Sequence, residues 1–405
     1  MFNQKRNLKY PSLFLICFFI STALFLNSCG RFFIKDEGLE NKSIGELSVD
    51  RAVDRGCLIK NASPFVKSSA DNTTSTLAVA EITQTAGGNG YYGSFVVPSN
   101  GISFLLSIFK DSHSIVEFYS LADPDGTDIL SASSTPNLYN AASGSLGVDR
   151  YANVLVPQSP SFSAKAGTWT FKANNNDRVK IITRTGSTPS DNATITIQPY
   201  ITGTTWSAGD ISVALIIMKR IYSKNGITLT INDTITISDT QYTKVSKTFI
   251  NSTTSALVSQ GVTEGVNLFF IEDYSVSDNL GNAPGIPGSM GTANSWNGVL
   301  ISLAAHDVSG NTLDSQLLGE TAAHEMGHQL GLFHTTESGG TVFDILTDTA
   351  ECLNSTKDFN NNGKMSAEEC EGYGGENLMF WTAWNTSSRS AGKKQETLSS
   401  HQQHV

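Results

Sequence analysis

Two hydrophobic rhythms divide the chain. From about residue 90 to 186, apolar side chains come in short alternating runs, with Ile102, Phe104, Leu106 and Ile108 at every second position. A period of two puts every second side chain on one face, the pattern of a half-buried strand. The run Ile115-Val116-Glu117-Phe118-Tyr119 follows, then the turn Asp123-Pro124-Asp125-Gly126-Thr127, then strand-like runs over 166–172 and 178–182. Gly, Pro and Asp punctuate these runs and no helical spacing interrupts them. An all-β sandwich over 86–188 is therefore predicted.

The polar stretch 187–192 ends that rhythm. Beyond it, Ile211, Leu215, Met218 and Tyr222 recur at helical spacing and Gly226 follows as a stop signal. Apolar strand runs appear at 194–197, 227–231, 266–271 and 298–303, with a short helix before Gly261 and another helix starting near Leu317. Strands interleaved with helices predict an α/β domain over 189–405. Its strand 299–303 is expected to form the rim of a cleft. Residues 30–85 are rich in Ser, Thr, Asn and charge and read as a tether or propeptide-like linker.

Charge changes the picture mainly by exclusion. The chain carries 37 acidic and 27 basic residues, net −10, and no basic run beyond its amino terminus. Nucleic acid is thus not an expected partner. At the amino terminus Lys5, Arg6 and Lys9 precede an apolar stretch over 13–26, the makeup of an export signal over 1–29. Leu26, Ser28 and Cys29 resemble a bacterial lipoprotein box. That resemblance implies cleavage before Cys29, lipid on its thiol, and an exported protein anchored to a bacterial membrane, at the outer membrane or cell surface. An uncleaved anchor is the alternative, although the apolar stretch is short for a span. Export permits disulfides, and Cys352 and Cys370 are expected to pair. Cys57 is left either as a free or intermolecular thiol, or as a latency thiolate that blocks a metal site.

The sharpest chemical signal is His324-Glu325-Met326-Gly327-His328-Gln329-Leu330-Gly331-Leu332-Phe333-His334. His324 and His328 are four apart, so on a helix both imidazoles share one face, a turn apart. Gly331 can end the helix at positive φ and let His334 approach the same ion. Three neutral imidazoles leave one tetrahedral position open, which marks a catalytic zinc site. Glu325 stands beside the first ligand, within reach of a water on the metal. His113, His306, His401 and His404 read as surface or structural residues.

This extended motif resembles that of the metzincin zinc metalloendopeptidases. The resemblance implies an α/β catalytic domain with a twisted mixed sheet, an active-site helix and a methionine turn, for which Met379 in Glu376-Asn377-Leu378-Met379-Phe380 is the candidate. It implies protein or peptide substrates, a water attacking the scissile carbonyl, and Glu325 moving the proton to the leaving amine. Residues 291–302 and the run through Met379 look most like the pappalysin-type branch. Some metzincins have Tyr two residues after this Met; here Trp381 stands there, so no such role is assigned. The turn at Asp123 followed by Gly167-Thr168-Trp169-Thr170-Phe171 resembles jelly-roll accessory domains of secreted bacterial peptidases. Asp123, Asp125 and Asp128 are either calcium ligands or solvated turn carboxylates.

A second constellation precedes Met379. Residues 358–369 match an EF-hand loop, with Asp358, Asn360, Asn362, Lys364, Ser366 and Glu369 at ligand positions and Gly363 at the sharp turn. Only two of these are carboxylates, so weak calcium binding is expected, or else a polar turn with no metal. Ser399 or Ser400 is expected to cap a last short helix. The alternative to an enzyme is a surface-exposed binding or adhesin lipoprotein on the same frame.

Overall fold

The computed structural model describes residues 76–88, 90–110, 116–130, 151–160, 162–174, 178–186, 193–262, 265–276, 279–291 and 293–405. The signal segment, Cys29, Cys57, His113 and the stretch 187–192 lie outside them. Among the described residues no helix is long and apolar enough to cross a membrane.

The amino-terminal half is antiparallel. Its strands are β1 (Thr76–Ile82), β2 (Thr85–Gly87), β3 (Gly90–Val97), β4 (Gly101–Phe109), β5 (Phe118–Ala122), β6 (Tyr151–Val156), β7 (Gly167–Ala173) and β8 (Arg178–Thr185). They form two four-stranded sheets, ordered β1-β8-β4-β6 and β2-β3-β7-β5. Alternation does the sorting. In β7 Trp169, Phe171 and Ala173 are buried while Thr168 and Thr170 are exposed. Phe104 meets Trp169 edge-on at 4.9 Å and Phe95 at 5.0 Å, a favoured geometry for aromatic quadrupoles. The linker expected to reach residue 85 ends earlier, because Thr76–Ile82 pairs along its length with β8. This edge strand escaped the pattern since it is weakly buried: Ala78, Ala80 and Glu81 are exposed, and Val79 and Ile82 are only half-buried.

The second half follows the other rhythm. It runs through β9 (Ala193–Thr202), α1 (Ser212–Lys224), β10 (Ile227–Ile231), β11 (Ile235–Ile237), β12 (Lys244–Val245), α2 (Ser252–Val258), β13 (Val266–Ile271), β14 (Asp273–Tyr274), β15 (Gly281–Asn282) and β16 (Val299–Ser302). α3 (Ser315–Leu330), α4 (Asn354–Lys357), α5 (Thr386–Ser390) and α6 (Ser400–His404) complete it. The central sheet is ordered β10-β9-β13-β16-β15. It is parallel except for β15, which lies antiparallel to β16. Every residue of β13 and β16 is buried, as expected of strands covered on both faces. This corrects the expected rim: 299–302 is interior, and the edge on that side is β15.

α1 and α3 pack together on one face. Gly319 makes this possible, since a Cβ there would lie 2.8 Å from the Ala214 carbonyl oxygen. Tyr222 donates its hydroxyl to the Ala323 carbonyl at 2.9 Å, fixing the two helices in register. The two halves also share a core. Tyr151 of β6 stacks on Trp296 at 5.2 Å, and Phe109 leans on Tyr151. Asn153 donates to the Pro287 carbonyl at 2.7 Å. The sheet-rich half is thereby fastened to the loop between β15 and β16.

Candidate metal centre

α3 begins where Asp314 accepts the Leu317 amide at 3.0 Å, an N-cap that relieves an otherwise unpaired donor. That cap starts the helix slightly before the expected Leu317. It ends at Gly331, whose φ of 116° lies in the left-handed region. The Gly331 N–H bonds back to the Gly327 and His328 carbonyls, and the Leu332 N–H reaches the Gly327 carbonyl at 2.9 Å. The chain reverses there and brings His334 back over the helix.

The three histidines converge. His334 Nε2 lies 3.2 Å from His324 Nε2 and 3.1 Å from His328 Nε2. Each ring is held from behind. His324 Nδ1 donates to the Leu378 carbonyl at 2.7 Å, and His328 Nδ1 to the Leu332 carbonyl at 2.7 Å. His334 Nδ1 faces Glu337 Oε1 at 3.1 Å. A proton held on Nδ1 leaves the Nε2 lone pair for a metal. A tetrahedral zinc with bonds of ~2.05 Å holds its ligand nitrogens about 3.3 Å apart. The spacing and the donor set both fit zinc, and among the described residues this is the group that could hold a metal.

Electrostatics agree with that use. Burial, with the charge of His334, pulls the His324 pKa down to about 3. Burial also carries His328 well below its usual value. Both rings therefore stay neutral at physiological pH, the form a metal requires. Burial lowers His334 too, but the charge and hydrogen bond of Glu337, joined by the charge of Glu325, outweigh it and raise the pKa.

Glu325 is buried beside His324. β15 presses on it: a Cβ on Gly281 would lie 2.5 Å from Glu325 Cγ. Met379 sits under the helix, where a Cβ on Gly327 would meet its sulfur at 2.5 Å. The segment around Met379 is pinned by Leu378 N–H to the Thr397 carbonyl at 2.8 Å, and by Asn377 to Gln402 at 2.8 Å. Ser399 caps α6 in a reciprocal capping box with Gln402. A small pocket, open to solvent, lies beside His324 and Glu325. Its walls include Leu280, Leu317, Leu378 and Phe380.

Several residues around the site were not foreseen. Gly281, Gly327 and the Leu378 carbonyl act through contacts between separate segments, and Glu337 acts on His334 from three residues further on. Gln329, inside the motif, donates to the Ser289 carbonyl at 2.6 Å and so ties the β15–β16 loop to α3. His306 is structural, as expected: it is buried, donates to the Ser302 carbonyl at 2.6 Å, and meets Thr321 Oγ1 at 2.9 Å. Burial pushes its pKa to about 4. His401 lies 3.4 Å from Asp348, and His404 is exposed. Trp381 lines the pocket and donates its indole N–H to the Met365 carbonyl.

The second constellation is a separate place. Cys352 and Cys370 are bonded. Asp358 accepts the Asn362 and Gly363 amides at 3.1 and 2.9 Å, and Gly363 has φ 72°. Asn360 Oδ1 also accepts the Asn362 amide at 3.0 Å. Glu369 accepts from Asn360 N–H at 3.3 Å and from Ser366 N–H at 3.0 Å. Lys364 donates its amide to Asn362 Oδ1 at 2.7 Å. The sequence-matched positions thus close one loop, far from the histidines in bonding. The Asp123 turn is different again. Lys165 pairs with both Asp123 and Asp125, and Asp128 accepts the Leu121 and Leu130 amides at 3.1 Å. Lys165 thus neutralises a buried Asp123 and an exposed Asp125, the latter placed as a solvated turn carboxylate would be.

Three convergent imidazoles beside a buried carboxylate can hold a metal next to a group able to carry a proton. Residues 210–335 match the family model of Reprolysin-like metallopeptidases, metallo-peptidase family M12B. The stretch includes all three histidines and Glu325, in a class that is zinc-dependent and acts on proteins or peptides. The matched family is reprolysin-like, whereas the sequence resemblance pointed to the pappalysin-type branch. No curated protein matches the chain. Among solved structures, metalloproteinase-II from Bacteroides fragilis aligns over 78% of this chain and 87% of its own, at 11% identity and a TM-score of 0.25. The catalytic unit of a thermostable GH87 alpha-1,3-glucanase from Streptomyces thermodiastaticus aligns over 30% of this chain at 13% identity and a TM-score of 0.15. The chain spans only 38% and 29% of the first two glucanase structures it matches. Alignments with scores this low carry no inference about fold or activity.

Proposed function

We propose that the chain is a zinc metalloendopeptidase of metzincin type that hydrolyses peptide bonds in proteins. The observation that carries this reading is the convergence of three back-bonded Nε2 atoms within 3.2 Å, beside buried Glu325. His324, His328 and His334 would hold the zinc, which when bound would supply Lewis acidity to a water, lowering its pKa from ~15.7 toward ~7, and to the scissile carbonyl. Glu325 takes the proton from that water and returns it to the departing amine. Gly281 keeps the carboxylate close to the sheet edge, so the proton carrier and an edge-bound peptide share one face. An extended substrate adds to the free side of β15 through its backbone. Met379 forms the soft floor that holds the histidine layer against the helix.

The same reading assigns the remaining parts. The strand order β1-β8-β4-β6 over β2-β3-β7-β5 supports a β-sandwich accessory unit of jelly-roll type. The loop 358–369 binds calcium weakly through Asp358, Asn360, Asn362, the Lys364 carbonyl, Ser366 and Glu369. Leu26, Ser28 and Cys29 make the enzyme an exported lipoprotein held on a membrane. The test is casein hydrolysis by zinc-loaded wild type and Glu325→Gln. The variant should keep its zinc and lose about 10²-fold or more in rate. Equal rates in the two proteins would overturn the proposal.

A further inference from the structure

The pocket beside the histidines holds a carboxylate that the peptide-hydrolysis chemistry does not use. Glu320 lines it, one helical turn before His324 on α3. Its side chain is 4% exposed. Gln316 donates to Glu320 Oε1 at 2.6 Å, while Oε2 is buried with no hydrogen-bond partner. An acceptor in that state is costly unless something reaches it.

The protein's own cations are committed elsewhere. Arg389 pairs with Asp314 at 3.0 Å. Arg220 and Lys224 both pair with Glu396. Among the described residues no cation pairs with Glu320. Burial, with the charge of Glu396 adding to it, raises its pKa to about 7 against the opposing pull of the Gln316 and Gln395 hydrogen bonds and the Arg389 charge, so near neutrality the carboxyl is poised between its two forms and a cation brought into contact would favour the ionised one. The walls are mixed: Leu280, Leu317, Leu378 and Phe380 are apolar, Thr321, Thr382 and Gln395 are polar, and the second carboxylate, Glu325, stands beside the histidines. Apolar wall beside a buried carboxylate matches a basic side chain, whose methylene stem lies along the wall while its head pairs with Glu320. The distance suits it, since four residues of helix rise about 6 Å from Glu320 to His324.

We propose that this is the specificity pocket for a substrate residue flanking the scissile bond, and that Glu320 selects arginine or lysine there. This rests on the peptidase reading above, so two measurements are needed. The first is a cleavage-site profile of the zinc-loaded protein on a peptide library. Arginine and lysine should be enriched at least about 10-fold over leucine at one position next to the cut, and Glu320→Gln, which preserves shape and the Gln316 contact, should bring that ratio near one. The second does not need turnover. Titration of zinc-loaded wild type with arginine amide and with norleucine amide, followed through Trp381 at the pocket, should show the arginine probe binding about 10-fold tighter. That preference should vanish in Glu320→Gln. A library left uncut defeats the peptidase reading, and the amide titration then still decides the pocket. Equal binding of the two amides to wild type, or a preference that survives in a Glu320→Gln protein of unchanged melting temperature, overturns the proposal.

Discussion

The two candidate metal sites of this molecule are built on opposite plans. The histidine centre gathers its groups from one helix, the reversal at Gly331 and, through the Leu378 carbonyl, a segment 54 residues from His324. Each imidazole is buried in whole or part and held by a partner on Nδ1. The loop at 358–369 does the reverse. The hydrogen bonds of its candidate ligand side chains join neighbours within the loop, half of its residues are exposed, and a disulfide closes it from outside. A site paid for by the whole fold can hold its ligands ready for one ion. A site built locally has mainly its own short backbone to set its geometry, and the calcium affinity proposed for it is correspondingly low.

Three perturbations would break or sharpen this contrast. The largest concerns the staple. Replacing Cys352 and Cys370 together with serine frees a loop of sequence separation 18, and should cost about 3 kcal/mol of stability in denaturant titration. Zinc affinity should change less than twofold; a parallel collapse of zinc binding would show the two sites to be one unit. Next is Glu337→Gln, which removes the charge behind His334. Zinc affinity by competition with a chelator should fall about 10–100-fold, with the stability of the zinc-free protein little changed. An unaltered affinity would remove Glu337 from the centre. The smallest effect belongs to calcium. At ten times the dissociation constant of the loop, calcium should add ~1.4 kcal/mol to stability, and Asp358→Asn should abolish the gain. A gain that persists in the variant would place calcium elsewhere.

What could be read from the sequence follows the same division between local and distant. The β4 alternation at Phe104, Leu106 and Ile108, the α1 spacing, and the Gly331 stop are each written within a few residues. The motif and the disulfide pairing also stood in the sequence. β6 was missed because Tyr151–Val156 is buried almost throughout. Ala152 and Val154 face the sheet-rich core while Tyr151 faces the other half, so no alternation survives. The strand 299–302 was misplaced to a rim because an apolar run does not say whether it is covered on one side or two. The Lys165 pairing with Asp123, across 42 residues, and the Glu337 support of His334 could not be seen. The first is a tertiary contact between residue types that are usually solvated; the second spans only three residues, but its geometry depends on the chain reversal after α3. Nothing local in the sequence marks Glu320 as buried; its burial comes from the packing of α3.

The Tyr151–Trp296 stack bears on where this protein can be cut. The family match begins at residue 210, and a shortened chain started near there would seem to hold every group the chemistry needs. It would also leave the indole of Trp296 without its Tyr151 cover, strip Asn153 from Pro287, and remove Gln158 from the Gly331 carbonyl at the end of α3. Trp296 and Phe249, which stack on each other at 6.1 Å, would lose part of their shelter. Newly bared aromatic surface of that kind draws chains into aggregates. The smallest portion that behaves as a well-dispersed protein is therefore larger than the smallest portion that contains the catalytic groups, and it reaches back at least to β1.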